Sequence, residues 1–245
     1  MRRLPRPNPR PIRQDDAALE RLIDHLYRWF AMRAALGGYQ RINDSTQPEI
    51  IAQETTSVRT VRGDRLDVTV LVTAARSGTG VVNGAIFGTV KGQPTLALEV
   101  NGRLKWDELM RDAGARANIR STLAHELSHA ADVFAPKSAS YRKGRKQTVA
   151  YGVEAMGEGI DIVAYVNHPG EVRAFMREIY EDLAPTVKAL RATEVGRRRG
   201  IGELVSRLLD TNGRWQMLDP WITPRNRARL LSGIVRALEE AEVVA

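Results

Sequence analysis

Cysteine is absent from the 245-residue chain. This excludes disulfides, thiol nucleophiles, iron–sulfur clusters and thiolate zinc sites, so any metal has to be held by His, Asp or Glu. Long apolar runs are missing too. No stretch approaches the roughly 20 consecutive apolar residues of a membrane span. The opening MRRLPRPNPRPIR has no apolar run behind its arginines to act as a signal peptide. The expectation is a protein with no membrane partner and a cytoplasmic location. At 43% hydrophobic and 27% charged residues, the chain can form one sizeable core or two small ones.

The net charge is +8, from 37 basic and 29 acidic residues, and its location matters more than its sum. Arg2, Arg3, Arg6, Arg10 and Arg13 all precede the first acid, Asp15, so the arm supplies five of the eight charges. Two smaller basic clusters follow. One holds Lys137, Arg142, Lys143, Arg145 and Lys146; the other is the triplet Arg197, Arg198, Arg199. Neither carries an aromatic stacking pattern, so both read first as solvated loops, and a polyanion or nucleic-acid contact through the basic arm is a weak expectation.

Four prolines in residues 1 to 13 deny the backbone donors that a helix or central strand needs, and predict an extended, mobile arm. From Asp15 onward Leu19, Leu22, Ile23, Leu26, Trp29 and Phe30 follow a helical period until Gly37-Gly38 stops it. Residues 50 to 101 read as a small, mostly antiparallel sheet. Leu66, Val68, Val70 and Val72 alternate with their neighbours, Val81 to Val90 forms a second strand, and Thr95 to Val100 a third. After Trp106 the pattern is helical: 106 to 112, 116 to 134, part of 148 to 166, 169 to 193, 201 to 210, and 224 to 243 with Thr223-Pro224 as its start. Helix, sheet, then helices is the order of an α+β fold. The expected organisation is the arm, 1 to 13, then one domain, 14 to 245, whose residues 195 to 245 form a helical extension.

The chemistry is concentrated in His125-Glu126-Leu127-Ser128-His129, an instance of the HExxH pattern. Two His four apart on a helix project from one face, so both imidazoles can reach one metal ion at ~2 Å. Glu126 is rotated by about 100° from His125, off the metal and beside the attacking water, where it can act as general base. With Ile119 set at zero, Leu123, Leu127, Ala130 and Phe134 fall within a stripe of roughly 80°, and the two His lie on the far side. The helix can therefore bury its back and present a metal face.

With these residues the sequence resembles the zincin metallopeptidases. The metzincin extension is not met, because Asp132 stands at its Gly position and Ala135 at its third-ligand position. A gluzincin-like arrangement fits better, similar to small phage-type or minimal gluzincins, in which a Glu on a later helix completes the site. The segment Tyr165-Val166-Asn167-His168-Pro169-Gly170-Glu171-Val172-Arg173-Ala174 matches an N-x-P-x-E-x-x-A sequence that starts that helix in such proteins. The resemblance implies a zincin-like fold, Zn²⁺ held by His125, His129 and Glu171, Glu126 as catalytic base, and Tyr165 as a donor to the oxyanion. It also implies a strand at the cleft edge that pairs with the peptide, with Thr95 to Val100 as its candidate. It covers the HELSH helix, the downstream segment and the preceding sheet, but neither the arm nor the last 50 residues.

The residues by themselves leave alternatives open. Glu171 also suits the positive end of a helix, His168 is a good zinc ligand by chemistry, and Glu154, Glu158 and Asp132 are acids within range in sequence. Tyr165 equally suits ordinary packing. The leading functional expectation is a zinc-dependent peptidase acting on a peptide or protein substrate. The alternatives are a nucleic-acid-associated, SprT-like protease and a catalytically inactive zincin scaffold used for binding.

Overall fold

The computed structural model describes residues 16–43, 45, 47–59, 65–76, 80–90, 92–133 and 162–244. The basic arm, the cluster from Lys137 to Lys146, and Glu154 and Glu158 lie outside the described residues. The described residues form two compact units, one within Arg13–Gly159 and one within Ile160–Ala245. The sequence reading treats residues 14 to 245 as one domain.

In the first unit, α1 (Asp16–Gly37) is followed by β1 (Glu49–Arg59), β2 (Arg65–Ala75), β3 (Val82–Val90), β4 (Gln93–Asn101), α2 (Trp106–Arg111) and α3 (Ala113–Val133). Period-two alternation makes β2 a strand with one buried face: Val68, Val70, Val72 and Ala74 are fully buried, while Asp67, Thr69, Leu71 and Thr73 between them are not. Leu96, Leu98 and Val100 of β4 line the same core. Against that face pack the apolar stripes of α1 (Leu19, Leu22, Ile23, Leu26, Phe30) and α3 (Ile119, Leu123, Leu127, Ala130) in one cluster.

The sheet has four strands in the order β1-β2-β4-β3. β1 and β3 run antiparallel to β2 and β4 respectively, and β2 runs parallel to β4, so the sheet is mixed. β3 and β4 form a tight hairpin that turns through Gly92, whose φ of 82° only glycine adopts without strain. This topology corrects one expectation. The strand from Thr95 to Val100 is nearest to α3 in sequence, but it is interior, bonded on one side to β2 and on the other to β3. Complete burial of Leu96, Leu98 and Val100 is the physical mark of that central place, and among the described residues the strand at that end of the sheet is β3.

In the second unit α4 (Ile162–Val166), α5 (Pro169–Arg191), α6 (Glu194–Arg197), α7 (Ile201–Leu209), α8 (Gly213–Leu218) and α9 (Pro224–Val244) surround their own core. Met176, Ile179, Leu183 and Val187 of α5 face Leu204, Leu209, Trp215, Leu230, Ile234 and Leu238 in one cluster. The opposite face of α5 is also buried but charged. Arg177 pairs with Glu181, and Arg214 of α8 bridges Glu178 and, at 3.1 Å, Asp182. In the basic triplet, Arg198 pairs with Glu194, and Arg199 shares Glu203 with Arg207.

α+β architecture, a small mixed sheet and a mainly helical C-terminal part therefore agree with the sequence in coarse outline. None of the described helices is long and apolar enough to cross a membrane.

Candidate metal centre

α3 starts where Asp112 caps it, its side chain accepting the Gly114 N–H at 2.8 Å. Three turns later the helix carries HELSH. Ile119, Leu123, Leu127 and Ala130 lock its back into the sheet core and leave the opposite face to the histidines. Two hydroxyls that this packing buries are bonded within the helix, Ser128 donating to the Ala124 carbonyl at 2.7 Å and Ser121 to the Asn118 carbonyl at 3.1 Å.

The structure brings His125 and His129 together as the spacing predicts. Their Nε2 atoms are 3.2 Å apart, with the rings inclined by 71°. Two imidazole nitrogens bonded tetrahedrally to one zinc at ~2.0–2.1 Å would stand roughly 3.3–3.4 Å apart. The pair thus fits a shared metal ion with almost no rearrangement. His125 is buried, and His129 and Glu126 are half-buried. A bond between the two nitrogens themselves needs a proton on one of them, whereas a metal takes both lone pairs.

Glu171, His168 and Tyr165 belong to the second unit. Glu171 occupies the third position of α5 and is buried. A first-turn acid that merely complements the helix dipole stays in water, and a capping-box Glu bonds the cap N–H. That N–H, of His168, is already donated to the Tyr165 carbonyl at 3.0 Å. His168 itself is the N-cap. Its Nδ1 accepts the Gly170 N–H at 3.3 Å, with Pro169 in the first helical position. This bond spends one ring nitrogen on the helix start and leaves the proton on the other in the neutral ring. Tyr165 lies in α4, its ring edge-on to Phe175 at 6.3 Å, and both pack against the helical core. Asp132 lies in the last turn of α3.

Sequence reasoning gave Asn167 no role, although its side chain ties α4 to the start of α9 through bonds to Val163, Trp221, Thr223 and Asn226. The available signal was an Asn directly before a cap-Pro helix start, a position suited to turn-forming side chains.

Comparison with known protein families, characterised proteins and solved structures finds no match for this chain.

Proposed function

We propose that this chain is a zinc-dependent peptidase of gluzincin-like design, with His125, His129 and Glu171 as metal ligands and Glu126 as general base. The observation that carries the reading is the 3.2 Å approach of the two Nε2 atoms on a helix whose intervening residue is Glu126. Further support comes from the donor set. Among the described residues, His125, His129 and Glu171 make up the group of imidazole and carboxylate side chains suited to hold a metal ion. Two neutral imidazoles and one carboxylate are a ligand set of catalytic zinc, which needs an open position beside three protein ligands.

Zinc held there supplies a Lewis acid for the carbonyl oxygen and makes water acidic near neutral pH. Glu126 takes a proton from the water as its oxygen bonds to the peptide carbon. The same carboxyl returns that proton to the amide nitrogen as the C–N bond breaks, so protons balance over the cycle. Tyr165 is the proposed donor to the oxygen that gains charge.

Glu126→Gln tests the assignment. It is expected to keep zinc and lower peptide hydrolysis by ~10²–10⁴-fold, the usual contribution of a positioned base. Activity within a few-fold of the parent would exclude Glu126 from the chemistry. Glu171→Ala is expected to weaken zinc binding strongly, and unchanged binding would remove it from the ligand set.

A further inference from the structure

The helix that carries Glu171 is anchored in its middle by Met176, Ile179, Leu183 and Val187, which lie in the helical core. Its beginning is held by Asn167. The Asn167 Nδ2 donates to the carbonyls of Val163 and Trp221, each at 2.8 Å. Its Oδ1 accepts the Thr223 N–H at 2.8 Å and the Asn226 Nδ2 at 3.1 Å, and its backbone carbonyl accepts the same Asn226 group at 3.2 Å.

A carboxamide has two donor hydrogens and one acceptor oxygen with two lone pairs, and all are used. The orientation of the amide is thereby decided. The reverse would set its oxygen against two carbonyls and its NH₂ against a backbone N–H. No other side chain of this length offers both functions. Asp keeps the acceptors but places negative charge beside two carbonyl oxygens, and Ala removes everything.

Both helices tied by this residue begin with a cap followed by proline: His168-Pro169 for α5 and Thr223-Pro224 for α9. Thr223 Oγ1 accepts the Asn226 N–H at 3.4 Å, and the Thr223 carbonyl accepts the Arg227 N–H at 2.8 Å. Asn167, the residue before the N-cap of α5, thus fastens the entry to α5 and the end of α4 to the start of α9, four residues before Glu171.

We infer that Asn167 is a positioning residue for the metal centre, holding the first turn of α5 so that the Glu171 carboxylate is presented in a fixed place. This rests on the reading of Glu171 as a ligand given above. Metal ligands tolerate little displacement, and groups that orient them typically contribute 10–100-fold in metal affinity.

The test is zinc affinity by chelator competition, and the visible spectrum of the cobalt form, on the full chain and its Asn167→Ala, Asn167→Asp, Glu171→Ala and Asn167→Ala/Glu171→Ala variants, each checked for folding by thermal unfolding. Both Asn167 variants are expected to bind zinc ~10–100-fold more weakly and to show an altered cobalt band. In the Glu171→Ala background, Asn167→Ala is expected to add no further loss. Asn226→Ala, which leaves three of the Asn167 side-chain bonds, should move affinity in the same direction by less and serves if Asn167→Ala does not fold. A lowered melting temperature with unchanged zinc affinity and cobalt spectrum would overturn the inference and leave Asn167 merely structural. An equal loss with and without Glu171 would overturn it as well. If Glu171→Ala alone leaves zinc affinity intact, the ligand assignment has failed, and the positioning role falls with it.

Discussion

At the scale of single residues, the useful distinctions are between side chains of similar chemistry in different surroundings. His168 and His129 are both imidazoles near the proposed chemistry, but His168 spends Nδ1 on the Gly170 N–H whereas His129 turns Nε2 toward His125. His168→Asn is therefore expected to retain zinc and nearly all stability, because Asn is an equally good cap. His168→Ala should retain zinc and cost about 0.5–2 kcal/mol in urea unfolding. Zinc lost from either variant would assign His168 to the metal instead. Tyr27 is a second case. Its hydroxyl is buried with no hydrogen-bond partner among the described residues, and burial pushes it up to about 12, with Arg116 opposing and Asp112 adding to the rise. A folded-state value above the unfolded ~10 means that the neutral phenol favours the fold below about pH 10 and that this contribution disappears as pH climbs toward 12. The parent should thus lose on the order of 2 kcal/mol relative to Tyr27→Phe between pH 9 and about 12 in parallel urea titrations. Parallel curves would show that the phenol titrates normally.

At the scale of elements, helices with a long periodic stripe were legible, and α1, α3, α5 and α9 stand within a few residues of their sequence-derived limits. Of the short helices, α2 and α7 were named, but α6 and α8 were not. α6 and α8 span one turn or little more, so no apolar period can develop, although Thr193 and Asn212 cap them as such residues commonly do. Three of the four strands were also readable, but β1 was not named, and strand order was not legible, because interior and edge places depend on pairings between distant segments. β4 became an interior strand for that reason. The charged face of α5 escaped notice because Arg177, Glu178 and Glu181 look solvated in a sequence, whereas here they are buried as ion pairs. The junction of α5 with α9 yields a stability prediction. A Cβ at Gly233 of α9 would collide with Met176 Sδ of α5, so the two helices pack at a distance set by glycine. Gly233→Ala gains helix propensity of up to ~1 kcal/mol and incurs an overpacking cost of about 1–3 kcal/mol, which prevails. Denaturant unfolding should show net destabilisation. A stabilised variant would mean that Met176 moves aside freely.

At the scale of the whole molecule, the chain joins a sheet-and-helix unit bearing the two-histidine helix to a helical unit bearing Glu171. The core of the candidate site was legible because HExxH concentrates its residues in five consecutive positions, where helical spacing alone brings two candidate ligands and a candidate base together. The proposed third ligand, Glu171, lies on a segment more than 40 residues downstream, where resemblance rather than local geometry named it. Total cysteine absence sharpened the reading by limiting the donors to imidazole and carboxylate. The measurement that bears most directly on the central claim is the zinc content, by elemental analysis after equilibration with zinc and removal of excess, of the purified protein beside its His125→Ala form. The account predicts one zinc per chain in the parent and essentially none in the variant, both remaining folded. Equal zinc in the two, or a folded parent that holds none, would contradict it.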